Sequence, residues 1–250
     1  MTGTSPSGME LFDVHRLRLV EGEAPMLPAE LEAVRDQAWE TAVAANPALF
    51  DGPVVACAEL QWEEPDTLFL RWAAVTYRHY ALRRVPGGGA LPSLFVNAIQ
   101  PTDDGRVVVA RMSRATAAPG RWQLPGGSVE PPRDGGALDE EALSGQAARE
   151  LAEEVGVEVK PDELRLWAAT RGGNFSVGLT YLAPALPEAE LSNRFAAVAA
   201  AERAAGHEPE LAEIAFVASP HELAGLTGPH ADYVEPLVRR YAEAVLRRGV

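Results

Sequence analysis

The chain has 250 residues and a formal net charge of −14, with 22 Lys and Arg against 36 Asp and Glu. Nonspecific nucleic-acid affinity comes from clustered Lys and Arg, so a general polyanion binder is excluded; a small anion is not, because divalent cations can invert the field of an acidic site. No apolar run is long enough for a transmembrane helix, the N-terminus lacks a basic-then-apolar leader, and Cys57 has no second cysteine to pair with, so the expectation is a cytoplasmic protein with Cys57 buried as a small apolar residue.

Residues 28–46 form a predicted amphipathic helix, with Leu31, Val34, Ala38, Ala42 and Val43 at helical intervals and Pro47 beyond its end. Residues 54–62 and 67–75 read as strands joined by the turn Glu63-Glu64-Pro65-Asp66. Pro86-Gly87-Gly88-Gly89-Ala90 is a flexible break, which divides the chain into an extension at 1–88 and a main domain at 89–250. Residues 93–99 and 107–112 are strands around the turn Thr102-Asp103-Asp104-Gly105. A strand-like piece from Gly120 runs into the turn at Gly126-Gly127. A helix over 144–155 stops at Gly156, with an earlier start capped by Asp139 as the alternative. Residues 164–170 and 177–182 read as strands, 188–205 as an alanine-rich helix, 213–217 as a short strand and 232–247 as a terminal amphipathic helix. Strands with interspersed helices predict an α/β sandwich.

The most informative stretch is Arg149-Glu150-Leu151-Ala152-Glu153-Glu154-Val155-Gly156-Val157. Glu150, Glu153 and Glu154 are spaced i, i+3 and i+4, so three like charges share one helix face and repel. Arg149 offsets one charge, and a hard divalent cation would offset the rest. Ala148, Leu151, Ala152 and Val155 make the opposite face apolar. Acidic runs on helices are ordinarily solvated faces, a reading that suits Asp139-Glu140-Glu141 better than this one.

Leu124-Pro125-Gly126-Gly127-Ser128-Val129-Glu130, together with Glu141, seven further residues and Arg149 through Val157, resembles the signature of the Nudix hydrolases. Gly135 fits the signature glycine by count, but the local phrase points to Gly126 and Gly127, with thirteen residues between Gly127 and Glu141 instead of five. Pro131, Pro132 and Gly136 mark that eight-residue insertion as a loop, where added length costs little closure entropy.

The resemblance implies an α/β/α fold around a mixed sheet, here with an N-terminal α+β extension. It implies a Mg²⁺-dependent pyrophosphohydrolase, with Mn²⁺ as a substitute. Glu150, Glu153 and Glu154 are the implied metal ligands, with the backbone carbonyl near Gly127 as a further donor. Arg149 is implied to orient the cluster, with Glu141 as its partner. Glu154 is the expected general base; Glu208, Glu210 and Glu213 are later acidic alternatives, and Glu130 is a further candidate ligand. Gly126, Gly127, Tyr77 and Arg111 are the expected substrate contacts. Trp122, Tyr77, Tyr80 and Phe175 read first as core packing, with base stacking as the alternative. His221 and His230 read as surface or capping residues.

Asn46-Pro47-Ala48-Leu49-Phe50-Asp51-Gly52-Pro53, Val75-Thr76-Tyr77-Arg78-His79-Tyr80 and the glycine loop resemble the UDP-glucose pyrophosphatase branch of the family. That branch often degrades the Glu-rich signature, which this chain keeps. The implied substrate is a nucleoside diphosphate derivative, best a nucleotide sugar such as UDP-glucose giving UMP and a sugar 1-phosphate. ADP-ribose, a dinucleotide or an oxidised nucleoside triphosphate is the alternative within the family, and a non-catalytic nucleotide sensor the alternative outside enzymes. Residues 1–88 cover a sheet edge, line the pocket or build a homodimer interface; neither nucleic acid nor a membrane is an expected partner.

Overall fold

The computed structural model describes residues 3–4, 8–63, 66–132, 136–173 and 176–248. Glu64 and Pro65 of the expected turn, Gly135 and Phe175 lie outside the described residues.

Strands β1 (Gly3–Thr4), β2 (Glu10–Phe12) and β3 (Arg16–Glu21) precede helix α1 (Ala29–Ala45). Strands β4 (Pro53–Glu63) and β5 (Thr67–Thr76) lead into a 3-10 helix at Tyr77–Arg84. Strands β6 (Ser93–Ile99), β7 (Val107–Met112), β8 (Trp122–Gln123) and β9 (Gly126–Ser128) precede helix α2 (Glu140–Val155). Then come β10 (Arg165–Arg171), β11 (Ser176–Leu182), α3 (Glu188–Ala204), β12 (Leu211–Val217), α4 (Pro220–Ala224) and α5 (Val234–Arg248).

One mixed sheet runs β1-β2-β10-β11-β6-β4-β5-β3, with β9 also on β6. Strand β6 pairs parallel with β11 and antiparallel with β9, which sets Val96 opposite Gly127 and Asn97 opposite Gly126. A second sheet has the order β12-β7-β8. Side chains alternate across a strand, and β7 uses both faces. Val108, Ala110 and Met112 join Leu143, Ala147, Leu151 and Val155 of α2 and Leu191 of α3 in one core. Val107 and Val109 join Val234, Leu237 and Val238 of α5 in the other. Helices therefore cover both sides, giving the α/β/α arrangement.

The first 88 residues are woven into the same sheet: β3, β4 and β5 extend one flank and β1 and β2 the other. The apolar stripe of α1 is only half covered. Ala42 alone among its residues is buried, and Val34 is 49% exposed. Its main neighbour is the 3-10 helix, where the Trp39 ring meets Tyr77 edge-on at 6.2 Å.

That 3-10 helix is firmly held. Asp51 accepts from the Arg78 backbone N–H at 2.8 Å and from its Nε at 3.0 Å. The Leu91 N–H donates to Nε2 of buried His79 at 2.9 Å, so the imidazole is neutral with its proton on Nδ1. Burial, and then Arg35 and Arg83, lower the His79 pKa below the ordinary 6.5. A lowered folded value means that His79 contributes stability above the unfolded pKa, and that this is lost as pH falls through the folded one. Denaturant melts between pH 7.5 and pH 5 are therefore expected to carry an acid-side loss from this group on the order of 1–2 kcal/mol, read as the difference between the parent and a variant without the imidazole. His79→Gln, which keeps an acceptor for Leu91 but cannot protonate, is expected to lack it; an identical pH profile for variant and parent would refute this assignment.

Candidate active site

Helix α2 is specified at both ends. Asp139 accepts from the Ala142 N–H at 2.8 Å, and Gly156 closes the helix in the left-handed region with φ 75°. This is the earlier of the two starts left open by the sequence. Leu143, Ala147, Leu151 and Val155 recur every fourth residue and are buried, which fixes the helix rotation. Glu150 and Glu154 then lie against the glycines of β9, while Glu153 is exposed and borders the cavity beside them.

The Gly126 N–H donates to Glu154 Oε2 at 2.7 Å. Glu154 is 4% exposed, and its other oxygen, Oε1, is buried with no protein hydrogen bond among the described residues. Gly127 lies against Glu150: a Cβ there would stand 2.6 Å from Glu150 Oε1. At Gly126 φ is 150°, and a Cβ would stand 2.2 Å from the Val96 carbonyl oxygen. Gly126 thus requires glycine for backbone packing on β6, whereas the missing side chain at Gly127 leaves room for a carboxylate.

A cavity of about 170 Å³ is lined by Glu150, Glu153, Glu154, Glu202 and Glu210, with Phe195 and Pro209 among its walls. Burial, then Glu210, Glu150 and Glu153, push the Glu154 pKa well above the carboxylate range, opposed by the Gly126 hydrogen bond. Burial also pushes Glu150 up to about 7, with Glu210, Glu153 and Glu130 adding and Arg149 opposing. Glu210 is exposed, yet desolvation at the cavity wall raises it, with Glu202 and then Glu153 adding. These groups titrate as one coupled set.

A second cavity, of about 500 Å³, borders Gly126, Gly127 and Glu210. Tyr77, Tyr80, Arg83, Phe95, Arg121 and Tyr233 also line it. Asp232 and His230 do too, and His230 Nε2 is buried and unpartnered among the described residues; this differs from the surface or capping role expected of it. Trp122 is buried and donates Nε1–H to the Thr227 carbonyl at 3.1 Å, as packing requires.

The other sequence candidates fall elsewhere. Arg111 donates to Glu213 at 2.9 Å across β7 and β12, and neither residue lines either cavity. Glu208 is exposed and borders a neighbouring depression with Phe50, Glu202 and Glu210. The partner expected for Arg149 is corrected: Arg149 pairs with Glu130 at 3.5 Å, not with Glu141. Glu141 and Arg149 are eight positions apart on α2, about 12 Å of axial rise, too far for a close pair. Glu130 is held in turn by its backbone, which exchanges hydrogen bonds with the Gln146 amide at 2.9 and 3.1 Å. Glu202, Arg83, Arg121 and Tyr233 were not singled out from sequence; Glu202, Arg83 and Tyr233 are carried to the site by elements distant in sequence, and Arg121 directly precedes β8.

Among the described residues no group of three His, Cys, Asp or Glu side chains has the spacing of a preformed metal site. The donor set itself fits a hard divalent cation. It offers several carboxylates around one small cavity, a buried Glu154 oxygen lacking a partner, and backbone laid bare at Gly127.

A family model described as the NUDIX domain matches residues 94–241. Among solved structures, the MutT protein from Methanosarcina mazei Go1 is 18% identical with a TM-score of 0.40, covering 62% of this chain and 96% of that one. The E. coli ORF135 protein is 20% identical with a TM-score of 0.35, covering 63% of this chain and 91% of its own. A Nudix hydrolase from Nitrosomonas europaea is 15% identical with a TM-score of 0.36, covering 62% and 90% respectively. No curated protein matches the chain. No helix among the described residues is long and apolar enough to cross a membrane. Nudix hydrolases generally use divalent metal ions and act on small nucleotide derivatives. With more than half of its length matched, including both signature segments, the chain belongs to the Nudix family and is a pyrophosphohydrolase.

Proposed function

We propose that the enzyme cleaves the pyrophosphate of a nucleoside diphosphate joined to a sugar, with UDP-glucose giving UMP and a sugar 1-phosphate as the leading case, in the presence of Mg²⁺ or, in its place, Mn²⁺. The observation that carries this reading is the roughly 500 Å³ cavity running from Gly126 and Gly127 to the aromatic and cationic side chains of Tyr77, Tyr80 and Arg121. A cavity of that size suits a ligand of nucleotide-sugar dimensions, and its aromatic rings suit a base or sugar face.

Glu150, Glu153 and Glu154 would hold the cation, with the carbonyl near Gly127 as a further donor. When bound, the cation neutralises the pyrophosphate and lowers the pKa of a bound water. Water adds to one phosphorus, the bridging P–O bond breaks, and the water's proton passes to a carboxylate. Glu154 is the residue assigned to take it, since Gly126 fixes one oxygen and leaves the other free. Glu210 is the alternative from the later chain. Arg149 is a positioning residue: by pairing with Glu130 it ties the segment that follows β9 to α2. The setting proposed is cytoplasmic.

Incubation with UDP-, ADP- and GDP-sugars, ADP-ribose, dinucleotides and an oxidised nucleoside triphosphate, with products identified by mass, tests the reading. Nucleoside monophosphate release from a nucleotide sugar, stopped by EDTA, is the expected result. Exclusive turnover of another member of the panel, or no turnover with either cation, would overturn it.

A further inference from the structure

Arg83 lies near the end of the 3-10 helix Tyr77–Arg84, before the segment that matches the Nudix family. Its side chain lines the larger cavity together with Gly126 and Gly127. The guanidinium carbon stands 4.5 Å from the centre of the Tyr80 ring. That ring is fixed in turn: Tyr80 OH donates to the Val55 carbonyl at 3.2 Å, and Tyr77 meets it edge-on at 5.6 Å. The platform beneath Arg83 is therefore built, as Asp51 pins the same helix through Arg78.

The charge at its tip is unanswered by the protein. Among the described residues Arg71, Arg78, Arg106 and Arg194 each hold a carboxylate, while no hydrogen bond or ion pair joins Arg83 to one. Arg83 stays exposed to solvent; the cavity wall beside it desolvates it enough to lower its pKa, opposed only by the Tyr80 and Tyr77 phenols. In a chain with 36 acidic residues, a guanidinium stacked on a pinned ring at a cavity wall and joined to no carboxylate is available to an anion that a ligand brings.

We propose that Arg83 binds a phosphate group of the substrate, so that the segment before the family domain helps decide which nucleotide derivatives are held. The planar guanidinium offers two parallel N–H groups to two phosphate oxygens, and its other face stays on Tyr80. Where cleavage then occurs rests on the proposed function; the phosphate contact itself does not.

Calorimetric titration of UMP, AMP and GMP into the whole protein in EDTA, beside KM and kcat for the best panel substrate in Mg²⁺, tests this. Arg83→Gln keeps the stem over Tyr80 and removes the charge. It is expected to weaken monophosphate binding and raise KM by roughly ten- to a hundredfold, with kcat little changed. Arg83→Lys is expected to recover part of the loss, because it restores a charge but not the fork. Unchanged affinity and KM in Arg83→Gln, or a parent that binds none of the three monophosphates, would overturn the inference. Turnover of nucleotide sugars with Arg83→Gln indistinguishable from the parent keeps the proposed reaction and removes the phosphate site. Loss of monophosphate binding in Arg83→Gln without any panel turnover keeps the phosphate site and removes the proposed reaction. Should Arg83→Gln melt well below the parent, Arg83→Lys decides: affinity like that of the parent supports a charge contact, and affinity as weak as that of Arg83→Gln overturns it.

Discussion

Glu154→Gln is expected to lose nearly all turnover while making the cation-free protein more stable. The glutamine amide oxygen can still accept from the Gly126 N–H that now bonds Glu154 at 2.7 Å, so the local fold is kept. What disappears is a buried ionisable carboxyl whose charged form is disfavoured by burial first and then by Glu210, Glu150 and Glu153. Stability in EDTA at pH 8 should rise by on the order of 1–3 kcal/mol. The same change removes the assigned proton acceptor and a cation ligand, so kcat in Mg²⁺ should fall on the order of 10² to 10⁴-fold. Thermal melts and steady-state kinetics on one preparation check both. A variant less stable than the parent in EDTA, or as active in Mg²⁺, contradicts the placement of Glu154 at the centre of the cluster.

The adjacent glycines are expected to fail in opposite ways. In Gly126→Ala the new Cβ would stand 2.2 Å from the Val96 carbonyl oxygen, with φ at 150°, so β9 must leave β6. Backbone strain and overpacking together should cost about 3–5 kcal/mol. In Gly127→Ala the collision is instead with the Glu150 carboxylate, at 2.6 Å, and a side chain can move where a strand cannot. That variant should stay folded and lose roughly ten- to a hundredfold in kcat/KM through a displaced ligand. Denaturant midpoints beside kcat/KM distinguish the two. Equal destabilisation by both substitutions would contradict the separate roles.

Much of this site was legible because the physics behind it is local. The i, i+3, i+4 spacing of Glu150, Glu153 and Glu154 and the αL stop at Gly156 belong to one helix, and β6 and β7 are short apolar runs bounded by turns. The choice of Gly126 and Gly127 over Gly135 rested on neighbouring residues, and in the fold that pair lies against Glu154 and Glu150. What sequence did not disclose is tertiary. Glu202 sits in an alanine-rich helix with no period to mark it, and Arg83 in a 3-10 helix too short and irregular to show one. Arg111 looked free to meet a substrate only because Glu213, 102 residues away, is invisible along the chain. Strand β3 is a different case. Arg16, Leu17, Arg18 and Leu19 alternate with the period of a half-covered strand, so its signal was present and went unread. On α1, apolar spacing alone could not tell a stripe facing the core from one half covered by a 3-10 helix.

Titration of Mn²⁺ into the cation-free parent and Glu154→Gln, followed by the electron paramagnetic resonance signal of the free ion, addresses the central claim most directly. The cluster on α2 is predicted to bind Mn²⁺ in the parent and to bind it at least roughly tenfold more weakly once Glu154 is neutral. Equal Mn²⁺ binding by the two proteins would show that the acidic helix is not where the cation is held.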